Sequence, residues 1–460
     1  MTLDRRQKVV LESVRRFLRR SAFGHLINLM AKTRPQDLAP IYDTLTDREQ
    51  LQVFRALADR DQELGAKFLV ELSPGEGVAI LRRLGPSGAA ALLNRCADDD
   101  AAGLLAALED DADAILEAMK PEEKAAVEQL LIYEEETAGR IMTPDVFSLH
   151  EDTTVAQTIA HLQAQGDVEM AFYLYIVDDR QHLVGVLSLR ELLLHPPSTR
   201  LSEIMGTDLI TVLVSTDQEE VAQVAAKYDL LAIPVLDEQG RLVGMVTIDD
   251  VIDVLREEAT EDIFKMAGTS EEERHEPSIL KSARMRSPWL LATFVGGNLA
   301  ALIIGSRVES MKVIPVLAAF LPIVLGMGGS AGNQAAIVTI RGIATGRIRH
   351  GVVAKAILRE LGVASLMGSL YGTLVGLFSY GQLYLRGEVD PGSSLWVCGV
   401  VGVSLACSMM LATAGGAVFP LLLDRLGIDP AVSTTPFVST MTDVMGSLVY
   451  VTLAYWLLLS

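Results

Sequence analysis

Five long apolar runs within residues 285–460 constrain this chain more than any other feature: Trp289 to Ser306, Val313 to Ile340, Val363 to Leu385, Leu395 to Leu423 and Pro436 to Leu459. A hydrocarbon core about 30 Å thick needs about 20 such residues per helix, so each run can cross a bilayer. The connection after the second run carries Arg341, Arg347, Arg349, Lys355 and Arg359, against only Arg307, Lys312 and Glu309 after the first. Basic loops stay on the cytoplasmic side. Five crossings then leave the N-terminal half inside and Ser460 outside. The first twenty residues are rich in arginine but hold no apolar stretch of the secretory kind, so that half is expected in the cytoplasm.

Charge divides the chain at the same place. Residues 1–284 hold 52 Asp+Glu against 29 Lys+Arg and residues 285–460 hold 7 against 10, so the net charge of -20 splits into -23 and +3. A field of that sign disfavours nucleic acid and anionic lipid as main partners of the first half and favours cations. Cys96, Cys398 and Cys407 show no metal-ligand spacing and read as small packing residues. Glycines at short spacings in the runs allow close helix packing.

Two of the runs carry polar groups at membrane depth. GMGGSAGNQ puts Asn333 and Gln334 there, and TTPFVSTMTDVMG puts Asp443 there. Asp443 follows Pro436 by about 10 Å of helix at ~1.5 Å per residue. A carboxylate so placed costs about 2.5–3.5 kcal/mol on insertion scales, and so belongs in a bundle interior or a wet path. With no Lys or Arg in the interior of any run, a mobile cation is the natural counter-charge, and Ser439, Thr440 and Thr442 offer it oxygen. The competing reading has Asp443 protonated, or hydrogen-bonded to Asn333, Thr440 or another helix.

The first half contains a repeat. LYIVDDRQHLVGVLSLRELL from Leu174 aligns with IPVLDEQGRLVGMVTIDDVID from Ile233, each copy reading as strand, acidic turn, strand and helix. Each is preceded by an Ile-Met pair, Ile141-Met142 and Ile204-Met205, and by a helix opening with Asp152 or Asp217. The doubled pattern resembles a tandem pair of cystathionine-beta-synthase (CBS) domains. Upstream, residues 24–136 read as short amphipathic helices stacked like a small solenoid. Asp98, Asp99, Asp100, Glu109, Asp110, Asp111 and Asp113 crowd its later part. In TIDDVIDVLREEATEDIFKMAG, helical spacing stacks Asp250, Asp253, Glu257 and Glu261 on one face with Glu258 and Asp262 beside them. Like charges at these spacings repel by a few tenths of a kcal/mol per pair. A hard divalent cation such as Mg²⁺ or Ca²⁺ suits such oxygen ligands.

The order of these parts, with the strings FLPIVLGMGGSAGNQAA, LRELGVASLMGSLYG and DPAVSTTPFVSTMTDVMG, resembles the MgtE family of magnesium transporters over nearly the whole chain. The resemblance implies an α-helical superhelical N-terminal domain (residues 1–136), α/β tandem CBS domains (137–258), an acidic connecting helix (259–284, continuing from about 249) and a five-helix transmembrane domain (285–460). It implies a homodimer in a bacterial inner membrane, with Asp443 in a pore at the subunit interface and Asn333 beside it. It also implies a cytosolic Mg²⁺ sensor whose ligands, by matching position, are Asp217, Glu219, Asp229, Asp250, Asp253, Glu258, Glu261 and Asp262. Asp98 or a neighbour and Asp429 would complete it. A nucleotide such as ATP in the CBS pair would meet Tyr173, Arg190 and Asp249, while Leu230 offers it no aromatic surface. Ser330 departs from the family's GGN string in the second run.

Passive Mg²⁺ uptake, closed when ions bridge the acidic domains, is therefore the expected function. No GxxxxGK[ST] loop occurs, so neither a pump nor another nucleotide-hydrolysing enzyme is indicated. Two readings stay open beside it: a transporter of Co²⁺, Mn²⁺ or Ca²⁺, and a membrane-anchored CBS regulator that senses a nucleotide.

Overall fold

Between Arg5 and Leu131 the chain forms ten short helices among the described residues, and their breaks are encoded locally. Proline stands at the first turn of α3 (Pro35–Tyr42), α6 (Pro74–Leu84), α7 (Pro86–Leu93) and α10 (Pro121–Leu131), where its missing N–H is not needed. Thr46 and Glu49 cap α4 (Asp47–Arg60) reciprocally. The computed structural model describes residues 4–460 except 109–110, 166–171, 271–272, 274–277, 307–314, 349–352, 386–390, 434 and 459–460. Glu109, Asp110, Arg307, Glu309, Lys312, Arg349 and Ser460 lie outside the described residues.

The chain divides into two compact units, Met1–Arg256 and Glu257–Ser460. In the first, Phe54 and Phe68 stack at 5.3 Å with Tyr42 edge-on to both, at the centre of the helical array. That apolar core runs on without a break into Val221, Ile233, Val235 and Val246 of the second repeat. Each repeat folds as a three-stranded sheet. β1 (Ser148–His150) lies parallel to β2 (Tyr173–Val177), which is antiparallel to β3 (Leu183–Ser188); β4 (Val212–Leu213), β5 (Ala232–Leu236) and β6 (Leu242–Thr247) repeat the order. The Ile-Met pairs are exchanged between copies: Met205 packs on Gly185 of the first repeat, and Met142 on Gly244 of the second. The acidic turns are local braces. The Asp178 carboxylate accepts from the backbone of Arg180 and His182, and that of Asp237 from Gln239 and Arg241.

The acidic helix α15 begins at Ile248 and ends at Ala267, short of the expected residue 284. Gly268, at φ +74°, stops it. The Thr269 N–H reaches the Phe264 carbonyl and the Gly268 N–H that of Lys265, both at 3.0 Å, which is a Schellman C-cap. Ile279 then opens the first membrane helix, ten residues ahead of the apolar run that begins at Trp289.

Among the described residues five helices are long and apolar enough to cross a membrane: Ile279–Gly305, Pro315–Ala344, Val353–Leu385, Pro391–Arg425 and Thr435–Leu458. The second, fourth and fifth pack together around Val324, Val401, Leu405 and Tyr450, whose hydroxyl donates to the Leu317 carbonyl at 2.6 Å. A Cβ on Gly416 of the fourth helix would fall 2.1 Å from the backbone oxygen of Gly332 in the second. Two backbones cannot both yield without parting, so Gly416→Ala is expected to destabilise this unit by about 1–3 kcal/mol or more. A lowered unfolding midpoint in detergent is the check. Gly399→Ala, whose Cβ would meet nothing within 4 Å, is expected to leave that midpoint unchanged.

Candidate functional site

The fifth membrane helix sets Asp443 half-buried in its first half, with no hydrogen bond or ion pair to any described residue. The neighbours that would hold a structural aspartate are engaged elsewhere. Thr440 Oγ1 donates to the Ala292 carbonyl at 3.5 Å, and Thr442 Oγ1 to that of Ser439 at 2.9 Å. On the second helix the Asn333 Oδ1 is buried and equally without a partner, whereas Ser330 turns back to its own helix at the Gly326 carbonyl, 2.9 Å away. Buried polar groups are nearly always paired, and the Asn333 oxygen shares its exception with the hydroxyls of Ser404 and Ser408 in the fourth helix, so this unit holds several polar atoms at membrane depth without a protein partner among the described residues.

The carboxylates expected as sensor ligands do not gather at one point. Among the described residues no three of His, Cys, Asp and Glu converge as ligands of one ion. Asp217 caps the start of α14 (Gln218–Tyr228), its carboxylate accepting the Glu219 N–H at 2.8 Å, while Asp229 ends the same helix in a left-handed conformation. About 18 Å of helix at ~1.5 Å per residue separates them. Asp249 and Asp250 both lie against the Thr247 hydroxyl. Asp253 is exposed and paired with Arg256 at 3.3 Å. Glu258 is half-buried on α15.

Two smaller groupings do form, one in each unit. In the first unit the neighbour of Asp250 is Asp99, not Asp98. α8 (Asp98–Ala106) turns Asp99 inward, leaves its Oδ1 buried without a partner, and points Asp98 toward Glu123 and Asp145. Burial, then the charges of Asp250 and Asp100, push the Asp99 carboxyl up to about 8. Ionising Asp99 therefore costs the folded state more than the unfolded one. The contribution of Asp99 to stability is therefore greatest below about pH 4 and falls as pH rises toward 8. In divalent-free buffer Asp99→Asn is expected to remove that fall, raising the unfolding midpoint at pH 8.5 by at least about 2–4 °C, the shift 1 kcal/mol brings in a unit of this size. An unchanged midpoint contradicts the burial of charge there.

In the second unit Lys265 Nζ bridges Glu261 Oε1 at 2.6 Å and Asp429 Oδ2 at 2.8 Å, with Asp262 close by. Burial alone lowers the lysine's pKa, but hydrogen bonds to Asp429 and Glu261 outweigh it and raise the value above its ordinary range. Burial, then the charge of Asp429, raises that of Asp262. Lys265 was absent from the residues expected from sequence, although its i,i+4 spacing from Glu261 was there to be seen.

A cleft on the first repeat brings Tyr173, Ser188 and Arg190 together with Phe172 and Leu231. Asp249 does not line it, whereas Phe172, an exposed aromatic, does. Cys96, whose thiol burial and then Asp100 and Asp99 push up to about 12, is an inert packing residue.

Family comparisons fall on these same parts. The family model of MgtE, a divalent cation transporter, matches residues 321–453; that of the MgtE intracellular N domain matches 33–136, and that of the CBS domain 138–197 and 201–257. The chain is 40% identical over 336 residues to the magnesium transporter MgtE of Thermus thermophilus, covering 72% of each. It is 37% identical over 330 residues to that of Enterococcus faecalis, covering 71% of this chain and 70% of the relative. Among solved structures, the cytosolic domain of the Mg²⁺ channel MgtE in complex with ATP is similar at 38% identity and a TM-score of 0.50, over 53% of this chain and 99% of that one. The soluble part of a magnesium transporter is similar at 32% identity and a TM-score of 0.50, over 55% and 99%.

Proposed function

From the family to which the chain belongs, the MgtE magnesium transporters, we infer that this protein carries Mg²⁺ across a membrane through its five-helix unit, and that Asp443 receives the ion. The unpartnered carboxylate at membrane depth is the observation that carries the reading. Mg²⁺ dehydrates reluctantly and is held by one or two carboxylates with several waters retained. A homodimer with its two-fold axis along the path presents two copies of Asp443, whose charges match the ion's without stripping its shell. The Asn333 oxygen, without a partner among the described residues, is the group on the second helix assigned to such waters. The N-terminal unit then lies in the cytoplasm and the C-terminus outside, as the basic connection after the second helix requires.

Closure by cytosolic Mg²⁺ is the second part of the proposal. The Asp99–Asp250 grouping, with its buried unpartnered oxygen, and the Glu261–Asp262–Asp429 grouping each fit an ion held by one or two carboxylates and water, and Asp217, Glu219, Asp229, Asp253 and Glu258 supply further single ligands. Bound Mg²⁺ neutralises carboxylates that otherwise repel and thereby favours one position of α15. The cleft at Phe172, Tyr173 and Arg190 fits an adenine nucleotide, with rings for the base and a guanidinium for phosphate, so ATP is a candidate regulator. Growth of a cell lacking its own Mg²⁺ uptake tests the transport assignment. Expression should restore growth in Mg²⁺-poor medium, and failure by a membrane-inserted protein to do so counts against it.

A further inference from the structure

Lys265 occupies the position that the sensor reading gives to a divalent cation. Its ammonium lies 2.6 Å from Glu261 and 2.8 Å from Asp429, with its own side chain 29% exposed and both carboxylates 36% exposed. Water and ions therefore reach all three groups. Asp429 cannot turn away, because its other oxygen accepts the Ala431 N–H at 2.7 Å. Asp262 adds a third negative charge nearby, and Arg341 a positive one. One tethered positive charge leaves the group under-neutralised, yet it covers the oxygens a divalent cation needs.

We propose that the Lys265 ammonium is a built-in counter-ion that competes with Mg²⁺ for Glu261 and Asp429 and so sets the Mg²⁺ concentration at which α15 is fixed. The proposal rests on the cytosolic closure inferred above. A group held one helical turn from its partner competes at a high effective concentration. Ion pairs this exposed contribute little to stability, so exchange with a free ion is easy. Once displaced, the lysine retains a long stem that carries its charge into water.

The test follows Mg²⁺-dependent protection of α15 from protease in the full-length protein in detergent, for wild type, Lys265→Met, Lys265→Gln and Lys265→Arg. Met keeps the apolar stem and Gln a polar end, and gel filtration shows which variants fold. Removing the charge is expected to lower the midpoint Mg²⁺ concentration at least about fivefold, the low end of ordinary coupling between sites. Arginine should keep it near the wild-type value. A lysine acting only as a tie between α15 and the loop at Asp429 gives the opposite sign, a raised midpoint, and overturns the proposal. So does an unchanged midpoint in whichever neutral variant folds, or an arginine variant that behaves like the neutral ones. Wild-type protein whose protection ignores Mg²⁺ overturns the closure reading itself, a separate result.

Discussion

Replacing Asp443 with alanine or asparagine is expected to cut Mg²⁺ flux into proteoliposomes by one to two orders of magnitude while leaving the protein folded. Hydrogen bonds to a charged group contribute about 1.5–3 kcal/mol, which corresponds to that range of rate or occupancy. The folded state should not suffer, because no described residue hydrogen-bonds to this carboxylate. Removing a charge from membrane depth relieves a cost of about 2.5–3.5 kcal/mol, so the unfolding midpoint in detergent should stay level or rise. Loss of flux with a raised midpoint is the signature of a group kept for function at the expense of stability. Loss of flux with a lowered midpoint would instead make Asp443 a structural residue.

A second large effect is expected at the cytosolic end. With both Glu261→Gln and Asp429→Asn, α15 loses its carboxylate ties to Lys265 and the ligands proposed for an ion there. Flux should then persist at cytosolic Mg²⁺ concentrations that close the wild type, with the closing midpoint raised roughly tenfold or more, within the usual 1–3 kcal/mol of coupling between sites. Protease should cut α15 over the same extended range. Closure at the wild-type concentration would place the sensor elsewhere, with the Asp99–Asp250 grouping next to be tested.

The membrane spans were legible because hydropathy needs only length and composition, yet their helices overrun the apolar runs. Basic residues such as Lys281, Arg284 and Arg286 are compatible with a helix although not with lipid. The doubled strand pattern gave β2 with β3 and β5 with β6, but not the short parallel strands β1 and β4 that complete each sheet. It could not show that Met142 serves the second repeat and Met205 the first, because that exchange is a tertiary contact. The choice between Asp98 and Asp99 turned on one residue of register at a helix start, beyond the reach of periodicity. The end of α15 at Gly268 was available, since glycine after a periodic helix is a stop signal, but the continuing run of charges obscured it. Lys265 and Phe172 are not legible in the same way: a lysine does not read as part of a cation site, and Phe172 comes beside Leu231 only through the tertiary fold.

On the function proposed above, one small divalent ion both passes Asp443 and closes the path from the cytosolic side. This double role is tested most directly by Mg²⁺ flux into proteoliposomes with the cytosolic unit facing a set Mg²⁺ concentration. Rapid flux is expected when that side is poor in Mg²⁺, progressive closure as it is enriched, and almost no flux under either condition with Asp443→Asn. Vesicles impermeable to Mg²⁺ at every setting, or flux that Asp443→Asn leaves intact, would contradict it.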